Sequence, residues 1–478
     1  MSDQVKLGVH GQILAKNSLF VYTPPMKYGD HLHGTSPAVA QQGRGIFETT
    51  LASGDVRRVA IPFTSPGDVV DATFVKRDAG LWIGRLERIH TPSPDRTATT
   101  CPHAGSCGGC LWQHLAYDAQ LALKTRGLET AYQTGGITLP LEPIVPSPVQ
   151  LGYRNRMDYA VGWKGEVGLK EYGSWNRYID LTTCLLLDEA TPKILELARS
   201  AAQELGWEPW DARKHTGQFR YVVIRLGRNT QQRLIHLLVK DLSTVTEVQK
   251  ERLREIFSPW CTSLILGENT KTTDISYAER IEALLGNDFL EEVVNGVQYR
   301  IHPNAFFQTN TLMAAELQSR TIAALGSIEG KHVLDLYGGI GFFGVALAKQ
   351  GASVVGQELD AFAVAEAKKN AEFNNVSASC SFASGPVEHL PPETWKADAG
   401  IIDPPRAGLH PKALEALIKY GPERVVYVSC NYHSFIREWE QIKQAYDLIR
   451  VEPLDLFPQT PHIEVIHTLV RRAGTVAS

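Results

Sequence analysis

Three constellations in this chain combine residue types and spacings that suit chemistry. The first is a set of acids and one thiol in the carboxyl-terminal third: Asp335, Glu358, Asp403, Cys430 and Glu464. Asp335, Asp403 and Cys430 stand within or at the end of short apolar runs, Val333-Leu334-Asp335-Leu336, Ala399-Gly-Ile-Ile-Asp403 and Arg424-Val-Val-Tyr-Val-Ser-Cys430. If these runs are parallel strands of an open α/β sheet, their ends line one ligand crevice. A cysteine in such a run is often an inert core residue. Cys430 lies at the strand end and is followed by polar Asn431, which favours a covalent nucleophile instead. The stretch Phe457-Pro-Gln-Thr-Pro-His462-Ile-Glu464 offers His462 and Glu464 as general bases.

The second constellation is a turn, Tyr337-Gly338-Gly339-Ile340-Gly341, directly after the Asp335 strand. Its glycines let the backbone turn sharply and approach a ligand closely. Glu358 follows about twenty positions on, where doubly wound sheets place the acid that holds a ribose. Gly339-Ile-Gly341-Phe-Phe-Gly344 also matches the dinucleotide fingerprint, so NAD or FAD is the competing cofactor class. No Walker-type G-x-x-x-x-G-K-S/T is present for a nucleoside triphosphate.

The third is Cys101-x5-Cys107-Gly-Gly-Cys110. Three thiols so close, with glycines between them, suit a metal loop. Cys184, after a strand end, is the expected fourth ligand, whereas Cys261 and Cys380 read as ordinary buried cysteines. Four cysteines suit zinc as well as an iron–sulfur cluster. The spacing excludes the C-x3-C-x2-C loop of radical enzymes.

These residues need a large scaffold, and 478 residues allow two or three domains. The chain is 43% hydrophobic and 21% charged, so a globular protein is expected. A net charge of −4 excludes a uniformly basic nucleic-acid binder but permits a local basic face. No long apolar run predicts a membrane span and the first residues lack a signal-peptide core, so a cytoplasmic, membrane-independent protein is expected, and a monomer is the expected state. Residues 1–40 show no sustained period and read as an extension. Short β-like runs from Gly43 to Ile89 predict a small barrel over 41–95, with Arg57, Arg58, Lys76, Arg77, Arg85 and Arg88 as a basic surface. A central, sheet-rich domain spans 96–300. There Arg154, Arg156, Arg220, Arg225 and Arg228 lie among aromatics, a combination that holds phosphates and unpaired bases or simply marks a solvated edge. The catalytic α/β domain covers 301–478.

The segment 41–95 resembles the TRAM domain, an RNA-binding barrel. From about Gly43 to Val470 the chain resembles the RNA 5-methyluridine methyltransferase family. The likeness runs through the cysteine loop, Phe-Phe-Gln308-Thr-Asn310, Asp335-Leu-Tyr337-Gly-Gly-Ile-Gly, Asp403-Pro-Pro-Arg-Ala-Gly, Val-Ser-Cys430-Asn and His462-Ile-Glu464. The resemblance implies a class I Rossmann-like domain that takes S-adenosylmethionine and methylates carbon 5 of a uridine in RNA. It implies that Cys430 is the nucleophile and Glu464 the proton-abstracting base. Gln308, Tyr337, Glu358 and Asp403 would bind the cofactor, with Asp335 and Gly339 in the same motif, and Cys101, Cys107, Cys110 and Cys184 would hold a 4Fe-4S cluster. Barrel and cluster loop together point to members acting on large-subunit ribosomal RNA, with transfer RNA as the alternative. A non-catalytic RNA-binding or folding factor is the reading from another class. Two segments depart from the family: Tyr432-His433-Ser434-Phe435, where proline and threonine are usual, and Ala383-Ser384-Gly385, where an acid is usual.

Overall fold

The computed structural model describes residues 27–39, 43–50, 54, 56–78 and 81–474. Most of the expected extension, residues 1–26, lies outside them. The described residues form two compact units, those of 27–38 with 44–93, and 39 and 43 with 94–474. No helix among the described residues is long and apolar enough to cross a membrane.

The amino-terminal unit is built on strands β1 (His31–Thr35), β2 (Ala38–Val39), β3 (Gly45–Thr50), β4 (Val56–Ile61), β5 (Val69–Asp78) and β6 (Leu81–Thr91), in the order β1-β5-β6-β4-β3-β2. Period-two burial along β5 turns Val70, Ala72 and Phe74 inward, against Leu32, Phe47, Val59 and Ile61. The sheet curls so far that β1 returns to β3: a Cβ on Gly34 would lie 2.8 Å from the Glu48 carbonyl oxygen. Strand β1 comes from the stretch that the sequence assigns to the extension. Arg58 pairs with Glu48 and Arg85 with Glu87, and Arg77 lies 4.4 Å over the Trp82 ring, so much of the expected basic surface is already engaged.

The larger unit begins with the cysteine loop and helix α1 (Tyr117–Thr134). Its central sheet joins β7 (Arg156–Val161), β8 (Val167–Lys170), β9 (Tyr178–Asp180), β10 (Phe219–Gly227), β11 (Gln232–Val239), β12 (Ser263–Glu268) and β13 (Arg280–Leu285), in the order β13-β12-β11-β10-β7-β8-β9. Helices α2 (Thr191–Glu204) and α3 (Glu247–Phe257) accompany it. Thr246 and Gln249 close α3 with a capping box. Strand β10 is buried at every position, and this overturns the reading of its arginines as RNA contacts. Arg220 donates to the carbonyls of Asn269, Lys271 and Thr273, Arg225 to Ala305, and Arg228 to Gly152 and Arg154. A guanidinium on a strand with neighbours on both sides must find acceptors inside the fold.

A hairpin, β14 (Leu290–Val294) with β15 (Val297–Ile301), leads through residues 302–310 to α4 (Thr311–Leu325), which Asn310 caps by accepting from the Met313 N–H. The last sheet contains β16 (His332–Leu336), β17 (Ser353–Glu358), β18 (Cys380–Ser384), β19 (Ala399–Ile402), β20 (Arg424–Ser429), β21 (Tyr446–Leu454) and β22 (Glu464–Arg471). Its order is β18-β17-β16-β19-β20-β22-β21, with the first five strands parallel and β22 antiparallel to both neighbours. Helices α5 (Gly344–Lys349), α6 (Ala361–Phe373), α7 (Pro411–Tyr420) and α8 (Tyr432–Ile442) connect these strands. The order reverses between β16 and β19, the switch point where such sheets open a crevice at their carboxyl ends.

Candidate functional site

Four adjacent parallel strands deliver the sequence-predicted residues to one edge of the sheet. β16 runs into Tyr337, β17 ends on Glu358, β19 runs into Asp403 and β20 into Cys430. In the register, Leu336 pairs with Gln357 and Ile402, and Ile402 with Tyr427, so these ends lie side by side. Glu464 arrives from the opposite direction. Ser429 pairs with Val465 in the antiparallel ladder, and one further step sets Cys430 opposite Glu464. The two are 34 positions apart in the chain, yet strand register alone makes them neighbours.

The turn after β16 is shaped around Asp335. Its Oδ2 accepts the Gly344 N–H at 2.9 Å, and a Cβ on Gly344 would come within 2.7 Å of that same oxygen, so only glycine fits. Tyr337 takes a positive φ of 63°, a costly conformation for a bulky residue and one associated with functional turns. The N–H groups of Tyr337 and Gly338 both point at the Gln357 carbonyl. Glu358 accepts the Gly339 N–H at 3.1 Å and the Asp360 N–H at 3.0 Å, which ties the acid at the β17 end to the glycine turn.

Charge is held here against its own preference. Burial, with a smaller contribution from nearby Glu358 and against the Gly344 hydrogen bond, raises Asp335 to about 7. Asp403 is raised by burial and then by Asp335 and Glu358, and Glu464 is raised well above the carboxylate range by burial and then by Asp403. The Cys430 thiol is pushed up to about 12 by burial, with Glu464 and Asp403 adding to it and Arg406 opposing. His462 moves the other way, down to about 4, through burial and the positive field of Arg406, Lys124 and Arg154. Asp335 Oδ1 is buried without a partner. A buried, unpaired acceptor among mutually repelling acids is a site waiting for a cation or a hydrogen-bond donor.

Supporting side chains fix the loops around this edge. The Arg406 carbonyl accepts from Asn431 Nδ2 at 2.9 Å and Ser434 Oγ at 2.8 Å, and Arg437 holds the Ala407 carbonyl, so Asn431, Ser434 and Arg437 strap down the loop after Asp403. Gln308 is buried on the segment before α4, and its carbonyl accepts from Asn155 Nδ2 at 2.8 Å. Beside that segment opens a cavity of about 660 Å³ whose walls include Arg154, Arg156, Asp158, Phe306, Phe307, Thr309 and His462. Phe306 is 69% exposed next to buried Phe307. Sequence reasoning overlooked Asn155, Asp158 and Phe306, although Arg154-Asn155-Arg156 flanking a tyrosine was a usable signal.

Helix α1 reaches the loop before Glu464 by two buried links. Lys124 Nζ contacts Asp455 Oδ1 at 2.6 Å and the Phe457 carbonyl at 3.2 Å. Gln120 and Gln459 bond reciprocally at 2.9 Å, with Gln459 at a φ of 68°. The N–H groups of Leu111 and Trp112, just after Cys110, both donate to the Gln459 carbonyl. Cys101, Cys107, Cys110 and Cys184 line one pocket with His103 and Leu186. Burial and the neighbouring thiols raise Cys107 to about 11 and Cys110 to about 12, a penalty that a bound cation reverses.

Comparison with known proteins places this geometry. The family model described as tRNA (Uracil-5-)-methyltransferase matches residues 261–382 and 388–472. The tRNA (uracil(54)-C(5))-methyltransferase of Pyrococcus horikoshii is 35% identical over 417 residues, covering 87% of this chain and 97% of the relative. The 23S rRNA (uracil(747)-C(5))-methyltransferase of the same organism is 34% identical over 422 residues, covering 88% and 96%. The crystal structure of Pyrococcus abyssi tRNA (uracil-54, C5)-methyltransferase in complex with S-adenosyl-L-homocysteine aligns with a TM-score of 0.77 and 31% identity, over 92% of this chain and 99% of that one.

Proposed function

The chain belongs to the RNA uracil-5-methyltransferase family and is an S-adenosylmethionine-dependent enzyme, and from that premise we propose which residues carry the reaction and on which RNA. The observation that carries the assignment is the register that sets Cys430 opposite Glu464 beside Asp403. Carbon 5 of uracil is a weak nucleophile. The Cys430 thiol gives its proton to solvent and the thiolate attacks carbon 6, forming an S–C bond and moving the ring electrons into an enolate; carbon 5 then takes a methyl group from a sulfonium, whose S–CH3 electrons stay with the departing thioether. Glu464 then removes the carbon 5 proton, the ring double bond re-forms and the thiolate leaves with the S–C electrons. Glu464 rather than His462 is the base, because the strand register sets it opposite Cys430, whereas burial and the positive field of Arg406, Lys124 and Arg154 lower the His462 imidazole to about 4, too weak an acceptor.

S-adenosylmethionine supplies an electrophilic methyl on a sulfonium, and its positive charge answers the uncompensated acids of the site. Glu358 and the Gly339 turn hold its ribose, and Asp335, Gln308, Tyr337 and Asp403 border the rest. The orphaned Asp335 Oδ1 supports this fit. The 660 Å³ cavity, with exposed Phe306 as a stacking platform and Arg154 and Arg156 in its wall, receives the RNA flanking the uridine that reacts at Cys430. The amino-terminal unit acts as a TRAM-like RNA-binding barrel. Cys101, Cys107, Cys110 and Cys184 hold a 4Fe-4S cluster in preference to zinc. Four thiols around one pocket suit either centre, and the preference for the cluster rests on the resemblance of the cysteine loop to that of the family. Iron and acid-labile sulfide in anaerobically purified protein test this, and zinc as the only metal overturns it.

For the substrate, transfer RNA is the first reading, supported by the likeness in fold to a solved tRNA uridine-54 enzyme beside the likeness in sequence to another. Large-subunit ribosomal RNA is the second, supported by the 23S relative at nearly equal identity. Mass spectrometry of both RNA classes from a strain lacking the gene should show one 5-methyluridine lost from tRNA. Loss from 23S rRNA moves the target to the second reading, and loss from neither overturns both.

A further inference from the structure

The amino-terminal unit holds a second group of metal-type ligands, unrelated to the four cysteines. His33 Nδ1 lies 2.7 Å from Asp71 Oδ1, and His90 Nε2 lies 2.6 Å from Asp71 Oδ2. One donor atom from each of the three side chains falls within 4.8 Å of the other two. We propose that His33, Asp71 and His90 form a binding site for a divalent transition-metal ion of the zinc type.

Three neighbouring strands build the site. In the β1–β5 ladder His33 sits directly across from Asp71. On the other side, the β5–β6 register shifts between Val69 and Val70, pairing Val70 with Ile89 and Val69 with Thr91. That bulge leaves His90 as the extra residue, and an extra residue in a ladder re-aims its side chain. His90 thereby turns to the free side of the same carboxylate, and the two imidazole rings meet edge to face at 5.4 Å. Donors on three paired strands are pre-positioned by the sheet. Closing them onto an ion at about 2.0–2.2 Å needs only side-chain rotation.

The donor set decides the ion class. Two imidazoles and one carboxylate suit zinc and its first-row neighbours. Magnesium and calcium require mostly oxygen, and copper(I) prefers sulfur. Three protein ligands leave a fourth position for water or an anionic oxygen. The location also gives the ion a task. β1 is a five-residue strand at one end of the sheet order, and Leu32 is its one buried side chain. An ion joining β1 to β5 and β6 pins a strand that apolar burial holds weakly.

Cobalt(II) titration of the full-length protein tests the proposal, because cobalt reports its ligands. Thiolate ligation at the cysteine loop gives intense near-ultraviolet charge-transfer bands, whereas a two-histidine, one-carboxylate site gives visible bands alone. A Cys101→Ser/Cys184→Ser protein should still bind one equivalent, without the thiolate bands and displaceable by zinc. Adding His33→Ala or His90→Gln should weaken that binding at least tenfold, with the far-ultraviolet circular dichroism unchanged. Zinc should raise the melting temperature of the cysteine variant and leave that of the histidine variants unmoved. Absence of the visible bands, or equal affinity in the histidine variants, overturns the site and leaves a hydrogen-bonded triad.

Discussion

The central sheet and the catalytic sheet both bury charge, and they treat it in opposite ways. On β10, Arg220 and Arg225 are almost wholly buried, and their terminal nitrogens donate to carbonyls that the surrounding loops turn inward. Those cations are consumed by the fold. At the ends of β16, β19 and β22, Asp335 and Glu464 are just as deeply buried and Asp403 partly so, yet neighbouring acids repel one another and Asp335 Oδ1 meets no donor. Burial marks both groups and function marks only one. What separates them is whether the structure itself has answered the charge.

That contrast can be broken by mutation. Cys430→Ala should abolish methyl transfer from labelled cofactor while leaving cofactor binding by calorimetry unchanged. Residual full activity would remove covalent catalysis altogether. Glu464→Gln should slow turnover by about 10²- to 10⁴-fold and accumulate a methylated protein–RNA adduct, visible as a labelled, shifted band on a denaturing gel. If His462→Ala traps the adduct instead, the base is His462. Glu358→Ala should weaken S-adenosylmethionine binding by about 1.5–3 kcal/mol, through loss of a charge-assisted acceptor.

On the other side of the comparison, Arg220→Met should cost about 3 kcal/mol in denaturant unfolding, because buried carbonyls lose their donor. Its kcat per folded molecule should not change, and a selective fall in kcat would mean that β10 takes part in catalysis. The smallest effect is a pH slope. Asp335 is raised in the folded state, so the stability tied to its protonated form is complete below about 4 and lost as pH rises through about 7. A cationic cofactor prefers the ionised form, so its affinity should rise over that same upper range, by at most about tenfold per pH unit for one group. Asp335→Asn should flatten both trends, and an unaltered slope would assign them to Asp403.

Much of the catalytic sheet was legible because its signals are local. An apolar run, a glycine turn, a short helix and a second run ending in an acid lie within thirty residues, and no distant information is needed to recognise the unit. The arginines of β10 were ambiguous because arginine among aromatics is one pattern with two environments. Only the strands on either side of β10 decide that its guanidiniums point into protein. Strand β1 was missed since five residues with one buried side chain leave almost no periodic trace. The pairing of Cys430 with Glu464 was expected through resemblance, whereas its physical cause, an antiparallel last strand, has no local signature. The bonds from Gln120 and Lys124 to the loop before Glu464 were invisible for the same reason: each partner is an ordinary polar residue until the other is beside it.

Those bonds also set a timetable for the ribosome. Lys124 and Asp455 are 331 positions apart, and Gln120 and Gln459 are 339. At about 5–20 residues per second, helix α1 leaves the tunnel roughly 15 s to a minute before its partners are made. Through that interval a lysine destined for full burial has no counter-charge, and the loop that will present Glu464 does not yet exist. The catalytic edge is therefore the last part of the larger unit to be completed, and a nascent chain cannot methylate RNA until its own carboxyl-terminal strands have been threaded back against a helix synthesised near the start.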